Sequence, residues 1–332
     1  MDILVGLWSR DTTTILGENQ GTRLYWLKEA VKATQAKRAE QAAQFADAGA
    51  IETIFVAPEY LFSAERRNET DARAISDVSR AALKKLLAEL SSHYEKMLIV
   101  PGTIIYKVDL KQFPIHGAAK KLKTVGVLAT AATSEAKNPV FGQVSAQEKN
   151  QLIKQGDAVS KLVKNKMYVF FGGEVVASYG KRADMLEAIG DDADQGIFVP
   201  GLKASMQAVG GITFAFEICF DHYKGVLKAV MGKTGSVADI QIICSAHVDN
   251  TNSNMMVRPG GFVLHASSKH ECSGVFYKTN PAPPLAGARP ALVKPVPTIK
   301  PTGDVKTAGV IDKLGEQLIG GSPLAYYRIR YA

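Results

Sequence analysis

A chain of 332 residues with 46% hydrophobic and 22% charged residues has the composition of a folded globular protein, which excludes disorder and fibrous repeats. The 40 Lys and Arg against 32 Asp and Glu leave a net charge of +8, a mild attraction for anions that is not by itself a nucleic-acid footprint. Cys219, Cys244 and Cys272 are too few and odd in number for a disulfide framework, no apolar run approaches the ~18 residues of a membrane span, and the start Met1-Asp2-Ile3-Leu4 does not read as a leader, so the expected location is the cytoplasm.

Ile3 to Trp8 is short and apolar and reads as a first strand. From about Thr22 to Ala48, Leu24, Leu27 and Val31 recur at helical spacing, with Gly49 as the stop. Thr53 to Ala57 is a compact β-prone run closed by Pro58, whose missing N–H costs nothing past a strand, so Glu59 falls just beyond a buried strand. Asp71 to Lys96 repeats the helical pattern, and Met97 to Tyr106 reads as one strand despite Pro101 and Gly102. This alternation is an α/β beginning.

Residues 107 to about 164 carry a basic stretch (Lys107, Lys111, Lys120, Lys121, Lys123) and then a polar segment with little periodicity. The basic stretch has few aromatic partners and reads as a solvated face rather than a nucleic-acid surface. Lys166 to Phe171 and Glu174 to Tyr179 form two strands joined by Gly172-Gly173, a link suited to a tight hairpin, with Lys181 just beyond. After Pro200-Gly201 come a strand from Gly211 to Cys219, a helix from about His222 to Met231 and a strand from Asp239 to Cys244. Seven prolines between Pro281 and Pro301 make an extended segment before a final strand, Ala325 to Tyr331.

The sharpest local feature is Phe216-Glu217-Ile218-Cys219-Phe220-Asp221-His222, a hydrophobic strand ending at a cysteine. Asp221 is placed to cap the following helix, so the sulfur is expected where helix N–H groups favour a thiolate. That makes Cys219 a candidate nucleophile, although a cysteine at a strand end is also an ordinary buried small hydrophobe.

Three blocks in this order resemble the nitrilase superfamily of carbon-nitrogen hydrolases. Phe55-Val56-Ala57-Pro58-Glu59-Tyr60-Leu61-Phe62 is similar to its strand-Pro-Glu block. Asn165 through Gly173 to Gly180-Lys181 resembles its lysine hairpin, and Phe198-Val199-Pro200-Gly201 with Ile218-Cys219-Phe220-Asp221 resembles its nucleophile block. The resemblance implies a Glu59, Lys181 and Cys219 triad, with Lys181 and the Phe220 N–H holding an oxyanion. It also implies an orienting second glutamate, for which Glu187 is the nearest equivalent and Asp184 the alternative. The implied fold is an α/β, four-layer α-β-β-α sandwich. A hydrolase domain then covers residues 1–280, with an insertion near 107–161, and a Pro-rich extension and C-terminal tail occupy 281–332. The implied protein takes a small amide or nitrile, needs neither cofactor nor metal, and forms a homodimer or larger homo-oligomer; no membrane or nucleic-acid partner is implied.

Several residues depart from the family pattern. Glu59 and Lys181 stand 122 residues apart, longer than the family shows, which places the insertion in the basic region. Strand alternation puts Glu217 on the Cys219 face, where the family has a small or apolar residue, so Glu217 is expected to reach the site. Phe220-Asp221 resembles the amidase branch more than the Trp-Glu of true nitrilases. His222 replaces a family residue beside the nucleophile, and His247 follows the next strand, where the family commonly places substrate contacts; both are candidate substrate-binding residues. The expected activity is amide hydrolysis through a cysteine thioester. Alternatives are a nitrilase or amide-forming transferase using the same thioester, or a non-catalytic binding protein of the same fold. Gly232-Lys233-Thr234 is not a phosphate loop, because Leu227 occupies the required glycine position. His265, His270 and Cys272 have no second ligand group at zinc spacing, and no Gly-x-Ser-x-Gly elbow is present.

Overall fold

The computed structural model describes residues 1–45, 49–67, 71–109, 161–183, 196–198, 200–201, 206–279 and 310–331. Two sheets make up its centre. The first contains β1 (Asp2–Trp8), β2 (Thr53–Val56), β3 (Ile75–Ser76), β4 (Met97–Val100), β5 (Thr103–Asp109), β6 (Lys161–Phe171), β7 (Glu174–Gly180), β8 (Gly196–Phe198), β14 (Ile311–Ile319) and β15 (Ser322–Arg330). The second orders β13 (Gly274–Tyr277), β12 (Val257–Ser267), β11 (Ala238–Ser245), β10 (Ile212–Ile218) and β9 (Met206–Val209).

Alternation of side chains along these strands decides the layering. Val5, Leu7, Ile54, Val56, Leu98 and Val100 of the first sheet interdigitate with Phe214, Phe216, Ile242 and Leu264 of the second. The opposite face of the first sheet, through Leu4, Trp8, Phe55 and Ile99, packs on Leu24, Leu27 and Val31 of α1 (Gln20–Glu40) and on Leu83 and Leu87 of α2 (Asp77–Ser92). The outer face of the second sheet, through Ala215, Ile243 and Val263, is covered by Leu227 and Met231 of α4 (Val226–Thr234), which follows the short α3 (Phe220–Lys224). This packing is consistent with the expected α-β-β-α order of four layers. Each of the fully buried Phe side chains between the sheets contributes about 1.5–3 kcal/mol relative to exposure.

Local chemistry sets the element limits. Asn19 and Ser76 accept from the N–H groups of Thr22 and Ser79, so α1 and α2 begin at side-chain caps. The helix expected over 71–96 is therefore shorter, and α1 ends at Glu40. The strand expected over 97–106 is two strands, because Pro101-Gly102 breaks it and β6 inserts between β4 and β5. The helix expected from His222 is divided by Gly225, which adopts φ +66°. The hairpin at Gly172-Gly173 forms as expected, with both glycines at positive φ.

Residues 310–331 are not a tail beyond the domain. β15 pairs antiparallel with β1 along its whole length, from Asp2↔Arg330 to Trp8↔Leu324, and β14 extends the same sheet. The polar segment of the expected insertion, the Pro-rich run, Asp184 and Glu187 lie outside the described residues.

Candidate active site

Glu59, Lys181 and Cys219 are brought together from three strand ends. Pro58 closes β2, and the Glu59 N–H reaches across to the Ser245 carbonyl at the end of β11, 3.3 Å away, so the Glu59 backbone bridges the two sheets. Gly102 makes this turn possible: it holds φ +77°, and a Cβ there would stand 2.1 Å from the Pro58 carbonyl oxygen. Lys181 directly follows β7. Its N–H bonds to the Asn165 carbonyl at 2.8 Å, and its own carbonyl accepts from Gly201 at 2.9 Å. A Cβ on Gly201 would meet the Gly180 oxygen at 2.2 Å, which explains the Pro-Gly that passes there.

Lys181 and Glu59 are both fully buried, and Lys181 Nζ lies 2.8 Å from Glu59 Oε1. Asn165 Nδ2 donates to the same oxygen at 2.9 Å. Nζ also donates to the Tyr60 hydroxyl at 3.3 Å and sits 5.4 Å from that ring's centroid. Among the described residues, no N–H or O–H reaches Glu59 Oε2. The Cys219 thiol adjoins this carboxylate: burial first and the Glu59 charge second push its pKa well up, while the Lys181 ammonium and the Ala246 N–H at the sulfur act the other way. The expected thiolate is thus corrected to a protonated thiol beside a carboxylate, because desolvation outweighs the cationic neighbour and α3 is only five residues long.

Among the described residues, the non-glycine positions with positive φ are Tyr60 at 59° and Cys219 at 44°. Both belong to this cluster. Such backbone costs about 1–3 kcal/mol per residue and concentrates where function requires it. At Cys219 it breaks the alternation of β10, turning the sulfur to the inter-sheet side with Ile218 while the Cys219 carbonyl accepts from His222 N–H at 2.9 Å. The Phe220 N–H, next in the chain, has no partner among the described residues.

That kink corrects the expectation for Glu217. Alternation holds as far as Ile218, so Glu217 points to the outer face and not to the Cys219 side. Its carboxylate contacts His222 Nδ1 at 2.7 Å and accepts from Leu227 N–H at 2.8 Å and Gln241 Nε2 at 2.7 Å. His222 is likewise behind the nucleophile strand. Its Nε2 accepts from Thr251 N–H at 3.0 Å, which puts the proton on Nδ1, facing Glu217. Neither side chain lies on the Cys219 side of the strand; both tie α3 to the strands and loop beneath it. His247 is exposed, and its chain neighbour Ala246 supplies an N–H to the sulfur.

Asp221 does not cap α3. Its buried carboxylate accepts from the Tyr179 hydroxyl at 2.6 Å, Arg182 N–H at 3.0 Å and Ala183 N–H at 2.6 Å. Asn165 and Tyr60 received no role in the sequence reading. A readable signal existed for Asn165, a lone amide among the inward positions Val163, Met167 and Val169 of β6.

Tyr60, Ala74, Ile105, Val163 and Ala246 form a small apolar cluster beside these groups. An open cavity of about 1020 Å³, with Thr13, Arg66, Asp71 and Lys107 on its walls, reaches that cluster at Ala74. The described residues contain no group of His, Cys, Asp and Glu arranged to hold a metal ion.

The chain is similar in structure to solved members of the nitrilase superfamily. Nit3 of Saccharomyces cerevisiae, a member of branch 10 of that superfamily, superposes with a TM-score of 0.43 at 15% identity, over 80% of this chain and 75% of that one. A carbon-nitrogen hydrolase from Helicobacter pylori G27 gives 0.43 at 11% identity over 83% and 81%. A mutant amidase from Nesterenkonia sp. AN1, carrying the acetamide moiety of fluoroacetamide on its active-site cysteine, gives 0.41 at 13% identity over 80% and 75%. No family model and no curated protein matches the chain. At such scores the likeness concerns the course of the chain; the chemistry of the cluster rests on its own geometry. No helix among the described residues is long and apolar enough to cross a membrane.

Proposed function

We propose that Glu59, Lys181 and Cys219 form the active centre of a thiol hydrolase that cleaves the carbon-nitrogen bond of a small amide through a thioester. The supporting observation is the buried Lys181–Glu59 contact of 2.8 Å beside the Cys219 thiol, with no N–H or O–H of the described residues at Glu59 Oε2. A carboxylate whose Oε1 is engaged by Lys181 and Asn165 keeps basic capacity at Oε2, which is available for the thiol proton that must move.

In this reading Glu59 takes the thiol proton as sulfur attacks the amide carbonyl, and the new C–S bond leaves the charge on oxygen. The Lys181 ammonium and the Phe220 N–H hold that oxyanion, each donor contributing about 3–4 kcal/mol. Collapse breaks the C–N bond, and Glu59 gives its proton to the departing nitrogen. Glu59 then takes a proton from water, hydroxide adds to the thioester carbonyl, the C–S bond breaks, and the proton returns to sulfur as the acid leaves. The apolar cluster around Tyr60, Ile105 and Val163 suits a short, uncharged acyl group.

The test is ammonia release from a panel of short aliphatic amides, with intact-mass measurement of wild type, Cys219→Ala and Glu59→Gln. Turnover by wild type, none by C219A, and an acyl adduct localised to Cys219 in E59Q support the proposal. Turnover that survives C219A, or a panel that yields neither ammonia nor adduct, overturns it.

A further inference from the structure

We infer that Asp221 is a positioning residue that holds the Lys181 ammonium in register with the Cys219 sulfur. Asp221 stands two residues past the nucleophile candidate, and its donors bracket Lys181 in the chain: the Tyr179 hydroxyl comes from two residues before it, and the Arg182 and Ala183 N–H groups follow it directly. One side chain therefore fastens the end of β7 and the turn after it to the first turn of α3. The Lys181 backbone itself bonds to Asn165 and Gly201, and the Asp221 carboxylate adds a direct tie from the residues on both sides of it to the nucleophile's own segment.

The partners also define its working state. All of them are donors, so the ionised carboxylate is the form they satisfy, and a protonated one would turn an O–H toward another donor. The charged and titratable groups around it are Tyr179 of β7, Lys181 and Arg182 of the turn, and Glu217 of β10, which acts on Tyr179. Burial pushes the Asp221 carboxyl up to about 7 against the opposing effect of its hydrogen bonds and of Lys181. Keeping the group ionised at neutral pH thus works against stability, as expected of a residue retained for what it positions.

This inference rests on the proposed function, and the experiment separates the two. The second-order rate of Cys219 alkylation by iodoacetamide is measured from pH 7 to 10 in wild type, Lys181→Met, Asp221→Asn and Tyr179→Phe. Because the thiolate is the reactive form, the rate reports how well Lys181 favours it. If Asp221 were only a nearby negative charge, D221N would ease thiol ionisation and speed alkylation. If it positions Lys181, D221N slows alkylation about tenfold at pH 8, moving the profile up by about one pH unit in the direction of K181M. Y179F shifts it the same way by less, and serves alone if D221N does not fold. On an accepted amide, kcat falls about 100-fold with little change in KM. A faster or unchanged alkylation rate in D221N, or in Y179F when D221N is unfolded, overturns the inference. A K181M profile identical to wild type overturns the proposed centre itself.

Discussion

Replacing Lys181 with Met tests the buried ion pair on which the cluster is built. The substitution keeps a long, flexible side chain but leaves the Glu59 carboxylate fully buried, with the Asn165 amide still donating to Oε1. Removing one partner of such a pair costs about 3–5 kcal/mol, mostly the penalty of an uncompensated charge. Unfolding entropy of about 2.1 cal/mol/K per residue amounts to roughly 0.7 kcal/mol/K for a chain of this length, so Tm should fall by roughly 4–7 °C. The double variant Glu59→Gln with Lys181→Met removes both charges and should recover about 2 kcal/mol of the summed losses, the coupling expected of groups in contact. Differential scanning fluorimetry with urea titrations of all four proteins measures both quantities. A K181M variant melting within about 1 °C of wild type, or strictly additive losses, would refute the pairing.

Arg23→Lys should lower stability by about 2 kcal/mol in urea titration, because Arg23 donates to the carbonyls of Leu61, Ser63, Ile15 and Leu16 at once and an ammonium cannot span them. Gly102→Ala should cost more than about 2 kcal/mol in urea titration, from its φ of +77° and the 2.1 Å approach to Pro58; a variant as stable as wild type would contradict the turn described. Burial and the neighbouring His222 push His265 down to about 3 from its usual 6.5. The unfolded chain therefore takes up a proton that the folded one refuses, so this contribution to stability is present above pH 6.5 and is lost as pH falls toward 3. His265→Asn should narrow the stability gap from wild type between pH 7 and pH 4.5, and urea midpoints that move in parallel would argue against it.

Much of this arrangement was readable from short-range chemistry. Pro58 ends a strand wherever it stands, paired glycines suit a hairpin, and these two features place Glu59 and Lys181 at strand ends before any coordinates exist. What escaped was set by distant parts of the chain. The positive φ of Cys219 has no signature in a cysteine, so simple alternation carried Glu217 into a site it does not enter. The insertion of β6 between β4 and β5 depends on pairing across a long separation, and only Pro101-Gly102 hinted that the strand divides. Asp221 looked like a helix cap because helix-capping aspartates occupy such positions, yet the N–H groups it satisfies belong to residues 39 and 38 positions earlier. The apolar pattern of β14 is too weak to read, since that strand lies mostly exposed.

The pairing of β15 with β1 bears on how this molecule is born. β1 leaves the ribosome well before β15, and the strand that hydrogen-bonds to one of its two edges follows about 320 residues later. At ordinary elongation speeds that edge waits roughly 15–60 s for its partner. Throughout that interval an apolar strand with open amides is a template for any other extended segment, so the yield of active protein in the cell should depend on chaperone capacity and on slow, cool expression more than on the stability of the finished fold.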